Sequence, residues 1–272
     1  MSKIKVSVPG KIMLAGEYAV LSGHRALALT VGRHLNVFVE RSLSQSTIGS
    51  SIWQKTYQLD TPPADLQNAP LFETAKWAMD TWQLPAFHLN VCSDIRIEDG
   101  IGSSSALRLA VLLGLFAFKG SEEGKDPFSL IDDNKWSIAR SAWQLQLGAQ
   151  RKASGYDIAT QLLGGLVTMK PELTESSWPG DIESTQACGN KQVSQWITIM
   201  RGGKGAPTTE VMGRTLQWLQ QKGLESTLVK LSERTIDAFM NFFKSSMQHL
   251  IISFLLGPLL LFLLQMAVSS TF

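Results

Sequence analysis

The sequence predicts an α+β fold, and three observations predict it. Runs with period-two alternation, such as Ile4, Val6 and Val8, read as strands. Runs with helical spacing, such as 70–82 with Leu71, Ala75, Ala78 and Met79 on one side, read as helices. The two kinds are mixed along the chain instead of strictly alternating, which disfavours a doubly wound parallel sheet.

The elements follow in order. The first strand, 4–8, is expected to end at Pro9 and Gly10. Two strands, 26–31 and 35–40, are joined across Gly32. Residues 50–59 form a polar edge strand, and 61–63 a loop. After the helix 70–82 comes a strand at 87–95, with Phe87, Leu89 and Val91 on one face. A Gly/Ser loop, 100–105, runs into an apolar helix at 106–118. A charged connection, 121–127, leads to a helix at 131–147 whose apolar side holds Ile138, Ala142 and Leu145. A loop at 148–155, a short helix at 156–163 and a Gly164-Gly165 turn lead into a strand at 166–169. Residues 171–190 are polar and turn-rich. A strand at 195–200, a second Gly-rich loop at 202–207 and helices at 208–222 and 226–244 complete the reading.

Composition bounds the function. At 272 residues the chain holds one large domain or two smaller ones. With 44% hydrophobic and 18% charged residues it is globular, neither disordered nor collagen-like. A net charge of +2 provides no footprint for nucleic acid. Cys92, Cys188 and four scattered His offer neither zinc-ligand spacing nor a disulfide framework. The first eleven residues carry no apolar leader, so the expected setting is reducing and cytoplasmic.

Three segments carry chemistry. In Gly100-Ile101-Gly102-Ser103-Ser104-Ser105 the glycines let the backbone approach a ligand, and a helix begins at once. The unpaired N–H groups and dipole of its N-terminus favour an anion, although the same residues also make an ordinary helix cap. It is not a Walker A loop, because no Lys follows the second glycine in that frame. In Ser154-Gly155-Tyr156-Asp157 the acid suits a general base, an indirect metal ligand or an N-cap. Lys11, closing the first strand, can reach a phosphate or sit solvated.

Together these segments are far more specific than apart. Residues 9–21, PGKIMLAGEYAVL, resemble the first motif of the GHMP kinases, which include galactokinase and the homoserine, mevalonate and phosphomevalonate kinases. Residues 100–106, GIGSSSA, resemble that family's phosphate loop, P-x-x-x-G-L-G-S-S-A. Residues 154–165, SGYDIATQLLGG, resemble the segment with its catalytic Asp. The three occur in the family's order, and the resemblance covers about residues 4–240. Within the family, AGEYAVL and GKGAPTTEVM (203–212) are most similar to phosphomevalonate kinases; mevalonate kinases more often carry His where Tyr18 stands.

The resemblance implies a ribosomal-protein-S5-domain-2-like N-terminal domain at 1–165 and an incomplete ferredoxin-like domain at 166–244. It implies ATP-dependent phosphoryl transfer to 5-phosphomevalonate in isoprenoid precursor synthesis. The alternatives are mevalonate kinase, an inactive remnant, or a membrane-tethered binding protein. Lys11 and Asp157 are the implied catalytic residues. Gly100, Gly102, Ser103, Ser104 and Ser105 are the implied contacts to ATP phosphates, with Ser104 also near Mg2+. Glu17, Tyr18, Ser154, Gly155 and Lys204 are the implied substrate contacts, with Lys152 and Arg201 as weaker cationic candidates. ATP and the small-molecule acceptor are the expected partners, with a homodimer left open.

The sequence departs from the pattern at several points. Arg96 replaces the opening Pro of the phosphate motif, and Ser105 replaces its first Ala. Gln146 stands about where mevalonate kinases carry a magnesium-binding Glu. The family's last Gly-rich motif is absent: after Gly223 the only glycine is Gly257. From Ser245 to Phe272 there is no charge, and 250–268 approach the ~20 apolar residues that span a bilayer. That tail has three readings, in order a frameshifted or truncated end, a buried helix broken at Gly257-Pro258, and a membrane anchor.

Overall fold

A computed structural model describes residues 3–51, 53, 55–66, 69–150, 152–185 and 208–244. The elements are β1 (Ile4–Ala15), β2 (Ala26–Arg41), β3 (Thr47–Ser50), β4 (Lys55–Gln58), α1 (Pro70–Trp82), β5 (Phe87–Ser93), α2 (Ser103–Glu122), α3 (Pro127–Gln150), α4 (Tyr156–Leu163), β6 (Leu166–Lys170), β7 (Asp181–Thr185), α5 (Thr208–Gln221) and α6 (Glu225–Lys244). The mixed α+β expectation holds.

The strands form one seven-stranded sheet in the order β4-β3-β5-β2-β6-β7, with β1 also paired to β2. β3 and β5 are parallel, and every other pair is antiparallel. β2 organises the sheet. It pairs with β1 along its length, with β5 through residues 35–41, and with β6 through residues 26–29.

Several expected boundaries shift. Pro9 and Gly10 do not end the first strand: β1 runs through them to Ala15, with a register shift between the two. Pro9 lacks a ladder donor, so the pairing slips there and resumes. Gly32 does not end β2, which runs on through it, but Gly32 and Arg33 face no β1 partner at this register shift. The edge strand expected at 50–59 is a hairpin of β3 and β4. The turn-rich stretch 171–190 contains β7, which extends the sheet beside β6. The domain boundary expected after residue 165 falls between hydrogen-bonded members of this one sheet, since β6 pairs with β2. The strand expected at 195–200, the loop at 202–207 and the tail 245–272 lie outside the described residues.

The main core lies between the sheet and α1, α2 and α3. Leu35, Val37, Val39, Phe87, Leu89 and Val91 face Leu109, Leu112, Leu115, Phe118, Ile138 and Trp143. α1 starts with Pro70 at its first turn, where a missing N–H costs nothing, and Glu73 there suits the helix dipole. Among the described residues α2 alone is long and apolar enough to cross a membrane by length and composition, and it is mostly buried as the central core helix. A smaller cluster packs α6 on the sheet: Ile236 and Met240 meet Leu27, Leu29 and Leu166. At its edge Arg25 pairs with Glu233 and, at 2.7 Å, with Asp237.

Candidate active site

Gly102 caps the N-terminus of α2, and its carbonyl accepts the first helical bond, from Ala106 N–H. The N–H groups of Ser103, Ser104 and Ser105 therefore have no acceptor within the helix. Gly102 has φ +80, and a Cβ there would lie 3.0 Å from the Lys11 side chain, so only glycine fits. Three bonds hold this loop. Lys11 N–H donates to Ile101 O at 2.9 Å, the Gln161 amide to Gly102 O at 3.0 Å, and the Arg108 guanidinium to Ser104 Oγ at 2.6 Å.

Facing the loop, α4 begins after a second glycine, Gly155, at φ +73. A Cβ on Gly155 would lie 2.6 Å from Trp178 and 2.8 Å from Trp143. These two indoles stack at 5.2 Å between ring centres. Trp143 Nε1 donates to Ala153 O at 2.8 Å and Trp178 Nε1 to Ser154 O at 3.0 Å. The segment that presents Asp157 thus rests on a packed aromatic pair.

Between the two lies a cavity of about 210 Å³ lined by Lys11, Gly100, Gly102, Ser103, Ser104, Gln146, Lys152, Tyr156 and Asp157, among others. Larger hollows, of about 430 Å³ beside α6 and about 420 Å³ on β3 and β5, are lined by none of these segments. Lys11 is only 9% exposed. Its Nζ donates to Tyr156 Oη at 2.6 Å and lies 4.7 Å from the centre of that ring. Burial works against the Lys11 charge, yet Tyr156, Asp157 and Glu17 outweigh it, and the pKa rises above the ordinary lysine value. Burial, with Asp157 and Glu17 adding to it and Lys11 opposing, pushes the Tyr156 phenol up as well. At neutral pH the pair is therefore an ammonium beside a neutral phenol. Asp157 Oδ1 accepts from Ile158 N–H, and Oδ2 from Gln146 Nε2, both at 3.0 Å.

The sequence candidates divide accordingly. Lys11, Asp157, Gly100, Gly102, Ser103, Ser104, Ser105 and Ser154 come together at this cavity. Ser105 turns its side chain inward at the cavity wall. It is 1% exposed and its hydroxyl donates back to Gly102 O, which leaves its backbone N–H alone for a ligand. Ser154 is buried in the cavity wall, and Gly155 is walled by the indoles. Glu17 is exposed and acts on Lys11 only through its charge. Tyr18, at φ 63, reaches toward Thr215 on α5, at 3.4 Å. Lys152 is exposed at the rim, while Arg201 and Lys204 lie outside the described residues.

Four residues were missed as functional candidates. Tyr156 was visible inside its motif but carried no role. Arg108 was signalled by its position as a lone charge in an apolar helix. The Trp143–Trp178 pair had no sequence signal, because the two lie on different elements.

Mg2+ does not fit at Ser104. A metal on that hydroxyl would stand next to the Arg108 guanidinium, a like-charge contact that disfavours it. Gln146 offers an amide donor to Asp157 in place of a carboxylate. Among the described residues no three His, Cys, Asp or Glu side chains gather to hold a metal.

Residues 70–165 match the family model described as the GHMP kinases N terminal domain. A mevalonate kinase of Archaeoglobus fulgidus is 29% identical over 160 residues, 58% of this chain and 50% of that protein. The chain thus spans about half the length of the curated relatives it matches. Among solved structures, the mevalonate kinase of Methanococcus jannaschii superposes with a TM-score of 0.62 at 17% identity, over 87% of this chain and 73% of that one. The phosphomevalonate kinase of Streptococcus pneumoniae, in complex with phosphomevalonate and AMPPNP, superposes with a TM-score of 0.53 at 18% identity, over 85% and 74%. The chain shares the fold of these two kinases, and its residues 70–165 match the model of the GHMP kinases N terminal domain.

Proposed function

We propose that this chain transfers the γ-phosphoryl group of ATP to a small acceptor of the mevalonate route. One observation carries the reading: Lys11 and Asp157 meet the open N-terminus of α2 at a single cavity. Phosphoryl transfer asks a protein mainly to position two reactants and to offset charge. The N–H groups of Ser103, Ser104 and Ser105 would hold the phosphates. The Lys11 ammonium would offset negative charge on the transferred group. The acceptor oxygen attacks phosphorus, the bond to ADP breaks, and Asp157 takes the acceptor's proton where it has one.

The relatives' names favour mevalonate as the acceptor. Phosphomevalonate is the second reading, and one observation favours it. Both oxygens of Asp157 already accept a hydrogen bond from the protein, while Lys11 keeps its charge. A phosphate monoester, with a second pKa near ~6, is largely ionised at neutral pH and needs cations more than a base.

The test is ADP release by the full chain with each acceptor in turn. Lys11→Ala should lower kcat/KM by about 10²-fold or more with either acceptor. Asp157→Asn should cost a comparable ~10²–10⁴-fold with mevalonate, but clearly less than Lys11→Ala with phosphomevalonate. A folded chain that consumes neither acceptor overturns the reading.

A further inference from the structure

We infer that the phosphate loop of this chain is charged from behind by Arg108, acting through Ser104, and that phosphate binding there needs no metal at the serine. The inference rests on the kinase reading of the loop and adds how that loop meets its anion.

Arg108 lies one turn into α2, and its side chain is 2% exposed. One arm of the fork donates to Ser104 Oγ at 2.6 Å, and the other to Glu73 Oε2 on α1 at 3.2 Å. Guanidinium has donors only, so the serine must accept. Accepting that bond leaves the Ser104 proton free to donate outward, and the adjacent charge strengthens it as a donor. The Glu73 carboxylate sits on the second arm, away from the loop, and its side chain is 41% exposed, so water screens it. The positive charge therefore stands closer to the loop than its counter-charge does.

The other wall of the cavity agrees. Gln146 is 6% exposed, neutral, and bonded to Asp157 through its amide nitrogen. Its Oε1 is buried without a hydrogen-bond partner. A metal held between Ser104 and residue 146 would find a hydroxyl that already accepts a bond from a cation and, in place of a carboxylate, an uncharged amide oxygen. A phosphate oxygen would find the Ser104 proton, three backbone N–H groups and Lys11.

The experiment measures binding of ATP and of inorganic tripolyphosphate to the full chain by calorimetry, in EDTA and in excess Mg2+. The wild type should bind the metal-free form of each at least as tightly as the magnesium form. Arg108→Met should weaken metal-free binding by about tenfold or more and reverse that preference. Arg108→Lys should restore part of it. If Arg108→Met fails to fold, Ser104→Ala is the second variant, because it removes the relay at a partly exposed position and should show the same selective loss. A wild type that binds only with Mg2+ overturns the inference. So does a folded Arg108→Met or Ser104→Ala protein that loses both forms equally, since a structural role would not discriminate between them. Tripolyphosphate binding without ATP binding overturns the kinase reading and leaves this one standing. Binding of neither overturns both.

Discussion

The two walls of the cavity are held by different physics. The wall that presents Asp157 rests on packing: Trp143 and Trp178 stack, fill the space over Gly155, and spend each indole N–H on a loop carbonyl. The phosphate-loop wall rests on polar contacts from Lys11, Gln161 and Arg108. Close packing resists any change of volume, whereas a polar frame resists loss of charge or of a donor. The same cavity should therefore fail in two distinguishable ways.

The sharpest way to break the packed wall is Gly155→Ala. The backbone is left-handed there and the added methyl would enter both indoles. The expected loss is roughly 2–5 kcal/mol, combining overpacking with the left-handed penalty. Thermal melting checks it against Gly148→Ala in α3, where a Cβ meets open space. That control should gain about 0.5–1 kcal/mol from helix propensity. Equal Tm values for the two variants would remove the indole pair from the account of this wall.

A smaller effect tests the junction of the walls. Tyr156→Phe keeps the ring beneath Lys11 but deletes the 2.6 Å hydrogen bond to its ammonium. The expected loss in kcat/KM is about tenfold, near 1.4 kcal/mol, with the fold intact. An unchanged rate would mean that the ring alone positions Lys11.

The smallest effect is on stability against pH. The folded pKa values of Lys11 and Tyr156 both lie above their unfolded values of 10.5 and 10.0. From about pH 10 upward the folded state therefore binds more protons than the unfolded one, and stability falls as pH rises. Below that window the two groups contribute a constant amount. Tyr156→Phe should flatten the alkaline fall, which denaturant midpoints between pH 9 and 11 would register. A fall as steep as in the wild type would assign it to other groups, Tyr18 among them, whose burial also pushes its phenol up.

Local chemistry made some of this molecule legible before any coordinates. Residues 70–82 and 156–163 were readable to the residue as α1 and α4, because Pro70, Gly155 and Gly164 punctuate them and their apolar spacing is unbroken. Alternation along 87–91 likewise marked the buried face of β5. Pro9 and Gly32 misled for one reason: strand continuity depends on the neighbouring strand, and β1 and β2 pair on both sides of the register shift at which these residues sit.

The candidate site shows the same division. By itself the sequence determined which segments could bear chemistry, since glycines that free the backbone, hydroxyls at a helix start, and an acid and a lysine beside them are local features. Only the tertiary structure decided what those groups can do. It turned Ser105 inward, set Tyr156 under Lys11, stood Arg108 behind Ser104 and gave Gln146 to Asp157. Each of these is a contact between side chains placed by packing or helix geometry, and the charge, donor or acceptor that a group presents to a ligand is whatever such contacts leave unused.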